Sequence, residues 1–320
     1  MSSLAKSQTF IILIAIALGL LIGQSEAIGT FSSHLITPLL VAMLLGVFVS
    51  LPLNTIKELE KSFKNLKFVS ISLIVNFIWI PILGFILGEI FLKSSIDLKI
   101  GYLMLLVTPC TDWYLVFTDL AKGNVPLSTS LLPINLIAQL LLLPVYLYIF
   151  AGLAGTVDTG SLVKSVILIL VIPFGLSLSL KRWFKEESFI RVAVNRIFER
   201  GVFIFLALAI VCMFASEARR FWGNFTQFKL LCPPVILFFV INFFVGRLVS
   251  RLAHFSRADS VSLSMTTLAR NSPLALAVAV VAFPRQPLIA LALVFGPLIE
   301  IPVLFIVAKT LRWLGRNEAA

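Results

Sequence analysis

The chain has 320 residues, of which 59% are hydrophobic and 13% are charged, whereas soluble domains average about 45–50% and about 25%. This composition excludes a soluble globular protein and a disordered chain. It indicates a helical protein with several membrane crossings, each of about 20 apolar residues. The net charge of +11 does not predict nucleic-acid binding, because Lys and Arg lie mainly in loops between apolar runs.

Ten apolar runs are long enough to be transmembrane spans. They cover residues 9–23, 35–53, 68–92, 100–121, 125–152, 161–180, 201–217, 229–250, 258–283 and 287–310. With the N-terminus inside, the inner loops hold 18 Lys and Arg residues and the outer loops hold 7. This bias predicts that both termini are cytoplasmic. An alternative for the first run is a cleaved signal peptide, because Ser25-Glu26-Ala27 follows it.

The two longest inner loops, residues 54–67 and 181–200, mix Lys, Arg and Glu with apolar residues. This composition predicts either amphipathic helices at the cytoplasmic surface or simple charged connectors. The cysteines Cys110, Cys212 and Cys232 lie in or beside apolar runs and form no disulfide framework. With only His34 and His254 in the chain, no histidine-built metal site is predicted.

Two short motifs recur at nearly the same distance along the chain. Val75-Asn76-Phe77 recurs as Ile241-Asn242-Phe243, and Pro133–Ile137 recurs loosely as Pro297–Ile301, at offsets of 166 and 164 residues. These offsets predict two repeats, residues 1–155 and 156–320, with five spans each. An odd number of spans gives the repeats opposite orientations. The predicted fold is therefore an all-α polytopic membrane protein of ten transmembrane helices in two inverted five-helix repeats.

Each half contains one span that a proline and polar residues interrupt. Span four contains Thr108-Pro109-Cys110-Thr111-Asp112, and span nine contains Arg270-Asn271-Ser272-Pro273. Proline removes a backbone donor and breaks a helix. Broken helices are tolerated in a membrane only inside protein or beside a water-filled cavity. We therefore expect the solute site where the two interrupted spans meet.

Three charged residues lie well inside spans: Asp112, Arg270 and Glu300. Each costs at least about 2.5–3.5 kcal/mol at the bilayer centre, so each is a candidate functional residue. Asp112 and Arg270 occupy roughly equivalent places in the two halves. They are either a structural salt bridge or a pair that opens on substrate or proton binding. Glu300 is either a proton carrier or a structural carboxyl. No nucleophile–base pair is present, so an enzyme is not predicted.

Three uncharged residues in the spans are further candidates for solute binding. Cys110 follows a helix-breaking proline, and a thiol there suits a soft, thiophilic solute. The alternative is that Cys110 packs as a small hydrophobic residue. Asn76 and Asn135 lie in otherwise apolar spans. They either bind solute or form hydrogen bonds between helices.

Several motifs resemble those of a known group of transporters. Leu120–Ser128 resembles the segment that joins spans four and five in the bile acid:sodium symporter superfamily. Asn76–Pro81 resembles its amide-then-proline motif in span three, and Arg270–Ala275 is similar to its interrupted span nine. The resemblance implies a core domain of spans three to five and eight to ten, with crossing interrupted helices four and nine. It also implies a panel domain of spans one, two, six and seven.

Within the superfamily, the arsenical-resistance arsenite permeases are the group that the motifs resemble. Pro109-Cys110-Thr111 matches their Pro-Cys-Thr in span four, and Glu300-Ile301-Pro302-Val303 matches their Glu-Val-Pro-Val in span ten. The resemblance implies export of trivalent arsenic or antimony across the plasma membrane, driven by a proton gradient and without a cofactor. Cys110 would then contact the metalloid and Glu300 would cycle a proton. The residues expected to line the cavity are Asn76, Thr111, Asn135, Asn271 and Ser272.

The chain also departs from the superfamily's motifs. The Glu and Gln that hold sodium in span nine of sodium-coupled members fall on Thr266 and Arg270, and their Ser-Asn pair in span four falls on Tyr114-Leu115. Because a guanidinium repels a cation, no sodium site is expected. Asp112 is an acid that the permeases lack. These departures leave open a second hypothesis, a transporter of a small organic anion that Arg270 binds.

Overall fold

The computed structural model describes residues 2–49, 65–110, 113–154, 167, 171–180, 182, 189–218 and 229–317. This part of the chain is almost entirely helical. The helices are α1 (Ser2–Ile22), α2 (Glu26–Val49), α3 (Leu66–Ile74), α4 (Ile80–Phe91), α5 (Ile96–Leu106), α6 (Trp113–Leu120), α7 (Val125–Ala154), α8 (Val171–Leu180), α9 (Phe189–Ser216), α10 (Cys232–Leu252), α11 (Arg257–Leu268), α12 (Ser272–Ala282) and α13 (Pro287–Asn317). A π-helical segment, Val75–Trp79, joins α3 to α4, and a 3₁₀ turn, Lys229–Leu231, precedes α10.

Five helical stretches among the described residues are long and apolar enough to cross a membrane. They are Glu26–Val49, Leu66–Phe91, Val125–Ile149, Lys229–Leu252 and Pro287–Gly315. Several shorter apolar helices accompany them, including Ser272–Ala282. The prediction of a helical, multi-pass membrane protein is therefore confirmed. The count of ten spans and the inversion of the repeats stay predictions.

Two helix boundaries differ from those expected from the apolar runs. Helix α2 begins at Glu26 rather than at residue 35, because the hydroxyls of Thr30 and Ser33 donate to carbonyls of the preceding turn and fit within a helix. Residues 189–200 belong to the inner loop for which either an amphipathic helix or a charged connector was predicted. They are helical and form the first three turns of α9, so this helix begins before the apolar run at residue 201. They contain no Pro or Gly to end a helix before Gly201. The other predicted inner loop, residues 54–67, lies mostly outside the described residues.

Helix α9 packs along both α1 and α2. Two glycines one turn apart allow α1 to approach α9 closely. A Cβ atom on Gly19 would lie 2.6 Å from the Val211 carbonyl oxygen, and Gly23 lies against Ala215. Small residues with this four-residue spacing are a common contact between membrane helices.

Helices α5, α12 and α13 form the buried centre of the described structure. Every residue of α5 from Ile100 to Leu106 is buried. Helix α5 contacts α13 at Gly101, where a Cβ atom would lie 2.7 Å from the Ile289 carbonyl oxygen. A helix that is apolar on all sides is expected in such a central position.

The π-helical segment places the first candidate residue of the site. Pro81, in the first turn of α4, has no N–H to donate to the carbonyl of Phe77, four residues earlier. The Tyr146 hydroxyl of α7 donates to that carbonyl instead. The wider turn contains Asn76, which is completely buried. Such π-helical turns are often found at functional sites.

Candidate functional site

The two interruptions predicted in the chain are present, and their extended segments lie side by side. Helix α5 ends at Leu106 and α6 begins at Trp113, while α11 ends at Leu268 and α12 begins at Ser272. Pro109 and Arg270 form an antiparallel bridge. The backbone N–H of Cys110 donates to Ala269 O at 3.0 Å, and that of Asn271 donates to Thr108 O at 2.6 Å. Backbone groups freed by one interruption are thus satisfied by the other.

Side chains at both interruptions satisfy the neighbouring helix ends. The Thr108 hydroxyl donates to Met104 O at 3.0 Å and approaches Leu105 O at 3.1 Å, near the end of α5. The Asn271 side-chain oxygen accepts from the backbone N–H of Leu274 at 3.1 Å and caps α12. Asn271, expected to line a solute cavity, therefore has a structural role at the helix start.

Arg270 lies at the centre of the crossing, and only 2% of its surface is exposed. Its guanidinium donates to one side-chain oxygen and to four backbone carbonyls. Nη1 donates to Leu106 O at 2.9 Å, Nη2 donates to Asn76 Oδ1 at 2.9 Å, Thr267 O at 2.7 Å and Thr266 O at 3.3 Å, and Nε donates to Leu268 O at 3.4 Å. The face of the Phe238 ring also contacts it, with its centroid 5.6 Å from Cζ.

These contacts place a positive charge at the carboxyl ends of two helices. The carbonyls come from the last residue of α5 and the last three residues of α11. Both helix ends carry partial negative charge, and a cation there is favourable. Among the described residues, no carboxylate forms an ion pair with the Arg270 guanidinium. Asp112, its predicted partner, lies outside the described residues, as does Thr111.

Glu300 reaches the same crossing from α13. It is 4% exposed, and its Oε1 atom accepts the backbone N–H of Arg270 at 2.7 Å. Cys110, 3% exposed, pairs with the preceding residue, Ala269. The structure therefore brings the predicted thiol and the predicted carboxyl to adjacent residues of one extended segment, although 190 positions separate them in the sequence.

Polar groups of α7 and α12 lie near this centre. The Asn135 amide nitrogen donates to Thr266 Oγ1 at 3.3 Å, while Asn135 Oδ1 has no hydrogen-bond partner among the described residues. Gln139, one turn later and completely buried, lacks a described partner for both its amide atoms. The Ser272 hydroxyl is likewise buried without a described partner. Gln139 was not predicted from the sequence. Its spacing of four residues from Asn135 places both amides on one helix face, and this pattern could have identified it.

A comparison with family models identifies the family of this chain. The model described as the Sodium Bile acid symporter family matches residues 37–224, more than half of the chain. The chain belongs to the sodium bile acid symporter family. This confirms the family resemblance of the sequence motifs, and the protein is a membrane transporter for small solutes. The family match includes both Asn76 and the first interrupted helix, α5–α6.

Curated relatives of this symporter-family protein include arsenical-resistance proteins. Arsenical-resistance protein Acr3 of Corynebacterium glutamicum is 26% identical over 95% of this chain and 87% of its own length. Acr3 of Alkaliphilus metalliredigens is 22% identical over 83% of this chain and 78% of its own length. The human hepatic sodium/bile acid cotransporter is 26% identical over 81% of this chain and 73% of its own length.

Proposed function

We propose that this protein exports arsenite or antimonite in exchange for protons. The observation that carries the proposal is the meeting of Cys110 and Glu300 at one extended segment, with the Cys110 backbone on Ala269 and the Glu300 carboxylate on Arg270. The relatives named arsenical-resistance proteins support the same solute class.

Cys110 is proposed to bind the metalloid. Trivalent arsenic is soft and favours sulfur ligands. A thiol can replace one hydroxyl of arsenous acid: a sulfur–arsenic bond forms, an arsenic–oxygen bond breaks, and the thiol proton leaves with the hydroxyl as water. The reverse step releases the solute. Neither step changes an oxidation state, so both suit reversible binding during transport. The residues proposed to line the cavity are Asn76, Thr111, Asn135, Asn271 and Ser272.

Glu300 is proposed to carry the coupling proton. Its ionised carboxylate accepts the backbone N–H of Arg270 strongly, because charge-assisted hydrogen bonds exceed neutral ones in strength. Protonation weakens this contact and loosens α13 from the crossing. The carboxyl therefore links proton binding to the helix interruption beside Cys110. We propose that the core domain then rocks against the panel domain of the ten-span, inverted-repeat fold.

Arg270 is proposed to replace a coupling cation. Its guanidinium already binds the carbonyls at the ends of α5 and α11, which are the groups that a hard cation prefers. A sodium ion about 4 Å away would be repelled by about 4 kcal/mol at an effective dielectric constant of 20. That repulsion weakens sodium binding by roughly a thousandfold. Transport is therefore expected to be unchanged when sodium is replaced by potassium.

The organic-anion hypothesis rests on the same arginine. The human relative named as a sodium/bile acid cotransporter supports this solute class. Against it, an anion would have to displace Arg270 from the Asn76 and Leu106 oxygens, both at 2.9 Å. Unchanged uptake of carboxylates and sulfonates in Arg270→Gln would exclude anion binding by this residue.

The proposal is tested by arsenite flux into proteoliposomes under an imposed pH gradient. Cys110→Ser is expected to reduce flux to the background of empty vesicles. Cys212→Ser, which makes the same chemical change in α9, is the matched control and should keep wild-type flux. Absence of arsenite flux with folded wild-type protein would reject the proposal.

The role of the carboxyl is tested by Glu300→Gln in the same vesicles. We expect arsenite exchange to continue while its acceleration by the pH gradient disappears. Glu89→Gln is the matched control, because Glu89 lies outside the crossing and pairs with Lys99. A Glu300→Gln protein that still follows the pH gradient would show that the proton binds elsewhere.

A further inference from the structure

A second polar site lies away from the crossing, where the end of α10, the start of α11 and the last turns of α13 meet. It is a cavity of about 190 Å³. Its lining includes Arg247, Arg251, Arg257, Ser250 and Ser260. We call this cavity the arginine pocket. We propose that the arginine pocket binds the phosphate headgroup of an anionic membrane phospholipid.

The first observation is the charge of the pocket. Three arginines line it, and none of the described Asp or Glu residues does. Among the described residues, neither Arg251 nor Arg257 forms an ion pair. The nearby carboxylate of Asp259 is used elsewhere, since it accepts from Asn124 Nδ2 at 2.8 Å and from Ser256 Oγ at 2.7 Å. Like charges held together in this way favour an anion between them.

The second observation is a buried hydroxyl without a described partner. Ser250 lines the arginine pocket and is 2% exposed, and its Oγ atom forms no hydrogen bond to any described residue. A buried hydroxyl without a partner is unfavourable. A phosphate oxygen is an acceptor that this hydroxyl and the arginine N–H groups can share. Arginine is suited to this ligand, because its planar guanidinium binds two phosphate oxygens at once.

The third observation fixes the position of Arg257. Its guanidinium lies directly against Gly315 of α13, where a Cβ atom would overlap it. Glycine at this position therefore lets an arginine from α11 reach across to α13. The three helices each contribute to the pocket, which makes it a built site rather than a row of surface charges.

The apolar surroundings indicate a lipid rather than a soluble phosphate. Phe244, Leu248 and Leu252 form an exposed stripe along α10, at 64%, 57% and 71% exposure. Arg247 and Arg251 lie three residues after Phe244 and Leu248, so they adjoin this stripe. Trp313, 60% exposed near the end of α13, is typical of a membrane interface. An acyl chain along the stripe places its phosphate at the pocket. Basic pockets between membrane helices are known to bind anionic headgroups in this way.

The test is native mass spectrometry of the purified protein in detergent with an equal mixture of phosphatidylglycerol and phosphatidylcholine of identical acyl chains. Wild-type protein is expected to retain phosphatidylglycerol at least about tenfold over phosphatidylcholine, because charge-assisted hydrogen bonds select the anionic headgroup. Arg251→Gln and Arg257→Gln are each expected to bring this ratio close to one. Arg285→Gln is the matched control, because it removes an exposed arginine in the loop before α13, at that helix's opposite end.

Further variants separate binding from folding. Ser250→Ala removes the buried hydroxyl and is expected to lower the lipid ratio severalfold, while the variant unfolds at or above the wild-type temperature. Arg257→Lys keeps the charge but loses the planar fork, and an intermediate ratio is expected. A wild-type ratio in both Arg251→Gln and Arg257→Gln would overturn the proposal. Binding of inorganic phosphate at millimolar concentration without retention of phosphatidylglycerol would also overturn it, in favour of a soluble anion.

Discussion

Arg270→Met should destabilise the protein more than other single substitutions at the crossing. The change removes every guanidinium donor. Four backbone carbonyls and the Asn76 side-chain oxygen then lose their hydrogen bonds to this group. Three of these hydrogen bonds are 2.9 Å or shorter. At roughly 1.5–3 kcal/mol for each bond to a charged group, they contribute about 5–9 kcal/mol. Methionine carries no charge, so the cost of burying the guanidinium charge disappears, and this offsets several kcal/mol of the loss. The expected net loss is about 3–5 kcal/mol, the usual size for breaking a buried charged network.

The assay is reversible unfolding in mixed micelles of increasing denaturing-detergent content, followed by tryptophan fluorescence. Arg285→Met, in an exposed loop, is the control and should change the free energy of unfolding by less than about 0.5 kcal/mol. The free energy of unfolding of Arg270→Lys should fall between those of the two methionine variants. An ammonium retains the charge and three donors but lacks the planar guanidinium geometry. A loss below about 1 kcal/mol for Arg270→Met would refute the conclusion that the guanidinium holds the two helix ends together.

Three further predictions concern packing and buried polar groups. Gly101→Ala should destabilise by about 1–3 kcal/mol through overpacking, since its Cβ atom would lie 2.7 Å from a backbone oxygen of α13. Gly175→Ala should be neutral or stabilising, because no described atom lies within 4 Å of its Cβ position. Equal unfolding midpoints for the two variants would contradict this. Trp79→Phe removes a 3.0 Å hydrogen bond to the buried oxygen of Asn242. It should cost about 1–3 kcal/mol in the same unfolding assay. A loss under about 0.5 kcal/mol would show that the Asn242 oxygen does not depend on this donor. Gln139→Leu should stabilise by about 1–2 kcal/mol, because neither amide atom has a described partner. We also expect it to lower arsenite flux, because Gln139 lies one turn from Asn135 on α7. Wild-type flux would show that Gln139 does not contact the solute.

Much of the fold followed from the sequence. The apolar runs predicted a helical membrane protein, and the prolines at positions 109 and 273 predicted where two helices break. Both depend on local physics, since lipid excludes unpaired backbone groups and proline lacks a donor. Helix ends were less predictable. Residues 26–34 and 189–200 lie outside the predicted apolar runs, yet they extend α2 and α9, because neither stretch contains a proline to stop a helix.

The sequence named candidate residues for the site but not the contacts between them. Cys110, Asn76 and Glu300 were recognised because thiol, amide and carboxyl groups are rare in apolar spans. Nothing in their spacing indicated that Arg270 would take its acceptors from the ends of two helices and from Asn76. The cap that the Asn271 side chain forms on α12 was also not predicted. Local sequence identifies groups that need a partner, but the partner depends on distant chain segments.

The sequence by itself determined that the chain lies in a membrane, where its helices break and which buried groups bear charge or a thiol. The energetic reason is that each of these features is decided within a few residues, by the high cost of polar groups in lipid. The tertiary structure alone decided how those groups are combined. It places the Arg270 guanidinium at the ends of two helices. It also places Cys110 and Glu300 in contact with two neighbouring residues, Ala269 and Arg270, and three arginines around one pocket. Such contacts arise only when helices far apart in sequence pack together.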